Sequence, residues 1–155
     1  MQDKQYLTLS GDLNICPNSS CYLLLSGEKL TREECDLLRE ALDEDSAQKV
    51  KCDVMSFVEQ MKKEVLELPK MDSLMSNKLP DEQLFTREVK ISEERVVSVK
   101  EPFLTTKTIE FENCLDYIWT RGVTQVGAED VYSDGVLCNS TCPSDHVPIC
   151  GVIEL

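Results

Sequence analysis

The chain has 155 residues, of which 41% are hydrophobic, enough apolar material for one ordinary core and too short for a repeat array or a two-domain enzyme. With 29 acidic against 16 basic side chains the formal net charge is −13, which excludes a positive surface field that would recruit nucleic acid nonspecifically. No run reaches the roughly 18 to 20 apolar residues of a membrane span, and Met1 to Asp12 has neither the basic start nor the apolar stretch of a signal peptide. The expected setting is therefore the cytoplasm, with nucleus and mitochondrion as alternatives.

In chain order, Tyr6, Leu7, Thr8 and Leu9 form an apolar, β-prone run that predicts a buried strand, ended by Gly11, Asp12 and Asn14. Pro17 to Ser20 reads as a turn into a short helix carrying Tyr22, Leu24 and Leu25 and closing near Gly27. The segment from Glu28 to Glu101 changes character. It holds 19 acidic and 13 basic residues, and its apolar positions fall at helical spacing, so an acidic insertion of helix and loop is expected over residues 28–101. Thr31 followed by Glu34 matches a capping box, with Leu38, Ala41 and Leu42 as the stripe behind it. Val50, Val54, Phe57, Val58, Met61, Val65 and Leu68 predict a second amphipathic helix, stopped by Pro69. Met71 to Leu84 has no period and reads as a surface loop; Val89, Ile91, Val96, Val97 and Val99 suggest a short hairpin. Strand character returns at Leu115 to Trp119, at Val123 to Val126, at Val131 to Leu137 and at Val147 to Leu155.

Eight cysteines make up about 5% of the chain, short of a secreted disulfide scaffold, so reduced thiols are expected. Cys138 and Cys142 lack the second pair or the histidine that a zinc site needs. The sequons at Asn18 and Asn139 arise easily by chance.

Three fragments carry chemistry: Gly11-Asp12-Leu13-Asn14 after a strand, Asp116 opening an aromatic strand, and Ser144-Asp145-His146 before the last strand. Each sets a carboxylate, an amide or an imidazole where strands meet loops, the usual place for a site. His146 is the single histidine, and a lone histidine is more often structural than catalytic. Asp145 beside it suits a phosphate site in which one group holds a cation and the other faces phosphoryl oxygen.

In this order the fragments resemble the endonuclease/exonuclease/phosphatase superfamily of metal-dependent phosphodiesterases. Residues 11–22, from Gly11 through Pro17 and Ser19 to Tyr22, are similar to its G-D-F-N-S-x-P-x-S-x-x-Y segment. Asp116-Tyr117-Ile118-Trp119 is similar to its D-Y-I-F strand, and Pro143 to Ile149 to its closing P-S-D-H-x-P-L. The D-Y-I-W and P-S-D-H forms resemble the deadenylase-like branch, which includes carbon catabolite repressor type deadenylases, nocturnin, Angel proteins and 2′,5′-phosphodiesterases. The likeness covers residues 5–27 and 111–155, under half of the chain.

The resemblance implies an α+β fold, the second half of a four-layer α/β/β/α sandwich with residues 28–101 inserted, so that 1–155 is the carboxy-terminal part of one domain. By it, Asp12 would orient or deprotonate the attacking water and Asn14 would bind the scissile phosphate or help hold the nucleophile. Asp145 would be a ligand of Mg2+, or of Mn2+ in its place. His146 would stabilise transition-state charge, and Asp116 would lie behind it, fixing its orientation. The implied activity is hydrolysis at single-stranded RNA or oligoadenylate ends. The family's amino-terminal half, with its Glu metal ligand, has no counterpart here, so a protein partner or that missing half would have to complete the site. The competing expectation is a catalytically inactive fragment or isoform that serves as a protein-interaction module through its amphipathic helices, with no membrane contact.

Overall fold

The computed structural model describes residues 5–44, 65–66, 68–129, 131, 137 and 144–155. Helix and strand are mixed, 21% and 39% of residues, and the strands form several small antiparallel sheets, an α+β arrangement. β1 (Leu7–Asp12) leads into α1 (Ser20–Leu25), β2 (Leu30–Thr31) and α2 (Arg32–Glu44). β3 (Val65–Leu66), β4 (Asp72–Ser73) and α3 (Leu74–Lys78) follow, then a 3-10 turn at Asp81–Gln83. The hairpin β5 (Leu84–Lys90) and β6 (Val96–Pro102) precedes β7 (Thr106–Lys107), β8 (Glu112–Asn113) and β9 (Asp116–Arg121). β10 (Thr124–Ala128) and β11 (Gly151–Glu154) complete the order.

The organising strand is β9. It pairs antiparallel with β1 over six residues on one side and with β4 on the other, giving the order β1-β9-β4. Alternation sends Tyr117 and Trp119 to one face and Ile118 to the other. On the first face they meet Tyr22, Leu23 and Leu24 of α1, Leu38 of α2, and Val89, Ile91 and Val99 of or beside the hairpin. On the second, Ile118 packs with Leu74, Met75 and Leu79 around α3 and with Ile153 of β11. Tyr22 stands edge-on to the Trp119 ring at 5.0 Å between centroids. Such contacts favour the pair beyond the area they bury.

Local rules explain the helix ends. Ser19 caps α1 by accepting the Tyr22 N–H, and Gly27, at φ 91°, lets the chain turn so that the Gly27 and Glu28 amides reach Leu24 and Leu23 carbonyls. At α2 the capping box forms in both directions: the Glu34 amide donates to Thr31 Oγ1 at 3.2 Å, and the Thr31 amide to Glu34 Oε2 at 2.8 Å.

Several expectations change. β1 is exposed along its whole length, with Leu7 at 51% and Leu9 at 38%, where a buried strand was expected. It is the outer strand of its sheet, and among the described residues neither core cluster includes a β1 residue. Residues 71–84 are not a loop: β4, α3 and the 3-10 turn fill them, and Leu74 and Met75 are fully buried. Segments of two to five residues are too short to display a period. Val65–Leu66 pairs as a strand with β2, so the second helical stripe does not extend to Leu68, and the rest of that stripe lies outside the described residues. Between Glu28 and Glu101 the chain supplies core side chains as well as charged surface, through Leu30, Leu38, Met71, Val89, Ile91 and Val99. Most of the strand expected over Val131 to Leu137, and the Cys138–Cys142 pair, also lie outside the described residues.

Candidate active site

Antiparallel register sets the last residue of β1 directly opposite the first of β9, so Asp12 and Asp116 face each other at one end of the sheet. The third fragment arrives by a separate route. His146 bridges to Thr106 of β7, with the Lys107 amide donating to the Asp145 carbonyl at 2.9 Å and the Val147 amide to the Thr105 carbonyl at 2.7 Å. Residues separated by more than 130 positions thus come into one cluster.

At its centre is the His146 ring. Nδ1 lies 2.9 Å from Asp116 Oδ2 and 3.1 Å from Thr106 Oγ1. Asp116 Oδ2, which already takes the Thr105 proton, is the acceptor of that bond, so Nδ1 is its donor and Nε2 points away from it. Nε2 lies 3.8 Å from Asp12 Oδ2 and 4.0 Å from Asp145 Oδ1. Partial burial lowers the imidazole pKa, but the Asp116 hydrogen bond and the charges of Asp116, Asp12 and Asp145 together outweigh it and raise the pKa above the ordinary value. The result is an imidazole that takes a proton more readily than a free one, held on one side by a buried carboxylate and open on the other, its side chain 29% exposed.

Two threonines support this pair, and neither stood out in the sequence. Thr105 is fully buried; its hydroxyl donates to Asp116 Oδ2 at 2.7 Å and accepts the Leu115 and Asp116 amides at 2.9 Å. Thr106 Oγ1 touches both His146 and, at 3.4 Å, Asp116 Oδ2. Threonine is common in strands, so only its pairing partners distinguish these two. The arrangement fixes the carboxylate before it fixes the ring.

Asn14 lies two residues beyond Asp12 and contacts it directly. At φ 52° it takes a left-handed turn in which its amide N–H donates to Asp12 Oδ1 at 2.9 Å and its Nδ2 to Asp12 Oδ2 at 3.2 Å. Both oxygens of Asp12 are thereby engaged by Asn14. Behind this turn, the Tyr117 hydroxyl sits 2.8 Å from the Ile15 carbonyl and 2.7 Å from that of Cys114, tying the end of the β1 loop to β9.

The donor set does not make a magnesium cage. Among the described residues no group of three or more histidine, cysteine, aspartate or glutamate side chains is arranged to hold a metal ion. Asp116 is turned to His146 and Thr105, Asp12 is bound by Asn14, and Asp145 alone of the three carboxylates has a side chain as much as 44% exposed. Magnesium generally takes one or two carboxylates together with substrate phosphates, and one open carboxylate is a weak hold. No family model, no curated protein and no solved structure matches the chain.

Proposed function

We propose that the chain carries the imidazole–carboxylate part of a phosphodiester-hydrolysing centre that acts on RNA ends, of the 3′-exoribonuclease/deadenylase or 2′,5′-phosphodiesterase type. Within that reading the fold is the second half of a four-layer sandwich. The observation that carries it is His146 itself: Nδ1 is locked to Asp116 while Nε2 faces the space beside Asp12 and Asp145. An imidazolium so placed can donate from Nε2 to a phosphoryl oxygen as negative charge builds on it.

The reaction divides among this chain's own groups as follows. A water oxygen attacks phosphorus, and Asp12, oriented by Asn14, takes the water's proton. The bond from phosphorus to the leaving oxygen breaks with its electron pair passing to that oxygen, which takes a proton from solvent water, and His146 holds the equatorial charge throughout. Any divalent cation, magnesium or manganese, would need ligands in addition to Asp145, so no step is assigned to it. A single-stranded end suits the −13 charge better than a long duplex, which needs an extended basic surface.

The test is cleavage of 5′-labelled oligoadenylate with magnesium and with chelator. His146→Ala is expected to lower turnover by roughly 10²- to 10³-fold, the usual cost of one lost transition-state donor. Undiminished cleavage by His146→Ala would overturn the assignment.

A second reading, an inactive protein-interaction module, is favoured by one observation. Leu7 and Leu9 stand exposed on β1, an outer strand of the sheet, with Tyr6 exposed just before it, a natural place for another chain to add a strand.

A further inference from the structure

The β5–β6 hairpin turns one face to the core, and at one end that face runs past it. Register sets Phe85 opposite Glu101, Arg87 opposite Val99 and Val89 opposite Val97. Val89, Val99 and Glu101 are buried, whereas Phe85 at 47% and Phe103, just past the end of β6, at 50% stand in water. Among the described residues neither core cluster includes either ring. The two rings nevertheless have a fixed arrangement. Their centroids lie 5.6 Å apart with the planes at 82°, the Arg87 guanidinium sits 5.0 Å over the Phe85 ring, and its Nη2 donates to the Phe103 carbonyl at 3.0 Å.

In an edge-to-face pair one ring offers its edge and the other a face, so the pair takes up at most one face of Phe103, while Arg87 covers Phe85. One aromatic face is left open. Along the chain that ring adjoins the candidate site: three steps separate Phe103 from Thr106, at most about 11 Å between Cα atoms, and Thr106 Oγ1 touches the His146 ring. Charge decides what kind of contact is needed there. Asp12, Asp116 and Asp145 surround His146 on a chain of net −13, so phosphates gain little by approaching, and a strand end held there needs a contact without charge. A nucleobase stacked on an aromatic face is such a contact. Two half-exposed rings by themselves fall far short of the roughly 800 Å² per side of a stable protein interface.

We propose that Phe103 is a stacking platform for an unpaired nucleobase of a single-stranded end, beside the nucleotide whose phosphate meets His146. The inference rests on the phosphodiester reading for the place of that phosphate. Arg87 and Phe85 act as positioning residues: they hold the Phe103 backbone and ring before the base arrives, so little side-chain freedom is lost on binding. Every base has a π face, so the platform tolerates sequence, and it selects single strands, whose bases are free to stack on it, over duplexes.

The experiment is equilibrium binding, with chelator and at physiological salt, of a short labelled oligoadenylate and of an abasic strand with the same number of phosphates, read by fluorescence anisotropy. The wild-type chain is compared with Phe103→Leu and Phe103→Trp. Oligoadenylate is expected to bind more tightly than the abasic strand. Phe103→Leu keeps an apolar side chain but loses the π face, and is expected to weaken oligoadenylate binding by about five- to 150-fold and leave the abasic strand unchanged, while Phe103→Trp retains it. No binding of oligoadenylate, equal affinity for the two strands, or no loss in Phe103→Leu would overturn the platform. So would self-association of the chain that Phe103→Leu abolishes, which makes this face an interface between copies. The comparison of the two strands on the wild-type chain decides even where a variant does not fold. Cleavage plays no part in the readout: base-dependent binding lost in Phe103→Leu, together with undiminished cleavage by His146→Ala, would sink the phosphodiester reading and keep Phe103 as a base-binding residue, and the reverse pattern would do the opposite.

Discussion

β1 and β9 are hydrogen-bonded along six register pairs, yet one is exposed from end to end and the other has four of its six residues buried. The pair Leu9 and Trp119 shows the contrast within one rung: 38% exposed against 1%. The ladder is shared, so it cannot be the cause. What differs is the layer on each face. β9 has the α1 cluster over Tyr117 and Trp119 and the α3 cluster over Ile118, whereas among the described residues neither cluster extends over β1. Backbone pairing aligns a strand, and side-chain layers decide whether it is buried. At the site end the same asymmetry gives His146 one carboxylate that is nearly enclosed, Asp116, and one that is more open, Asp12.

The largest expected effect tests the layers directly. Trp119→Ala should cost roughly 3–5 kcal/mol of stability, by the transfer and cavity terms for a buried aromatic, whereas Leu9→Ala should stay within about 0.5 kcal/mol. Urea denaturation of the two variants reads the difference; similar losses would mean that β1 has a covering layer after all. Next comes Thr105→Val, which removes the donor to Asp116 and leaves the Leu115 and Asp116 amides bare, at about 1–3 kcal/mol. The same measurement checks it, with Thr105→Ser expected to recover most of the loss.

The smallest effect is electrostatic and compares the two strands at their facing ends. Asp116→Asn should lower the His146 pKa, since the hydrogen bond and nearest charge go while the burial that depresses it remains. Asp12→Asn should lower it less, because Asp12 lies 3.8 Å from Nε2 and is more exposed. Imidazole proton shifts followed by NMR would order the two. Because the folded pKa is raised, the stabilisation from this ion pair is full at low pH and is lost as pH climbs through that raised value, so the pH step should flatten in Asp116→Asn.

What the sequence made legible was local. The Thr31–Glu34 box, the short helix around Tyr22 and the aromatic strand at 116–119 each depend on neighbours a few positions away, and each formed. The exposure of Tyr6 to Leu9 was illegible because an apolar run carries no information about which layer will cover it. Glu101 was hidden for a related reason: in a segment with 19 acids, a buried carboxylate reads like every solvated one. The three ordered fragments mark residues that meet at one sheet end, but their spacing does not give how they contact one another. Asn14 turns its amide to Asp12, a contact two residues away that spacing alone leaves undetermined.

Three carboxylates around one imidazole leave negative charge in excess at the mouth of the site, on a chain already at −13. Most proteins that handle nucleic acid bind it more weakly as salt is added, because basic side chains release counterions from the phosphates. This mouth should behave in the opposite sense. At low ionic strength its field reaches tens of ångströms and turns an approaching polyanion away, and at physiological salt the field shrinks to roughly 8 Å. On the proposed reading, capture of a nucleic-acid end here quickens as salt screens the approach, making ionic strength an accelerator of encounter.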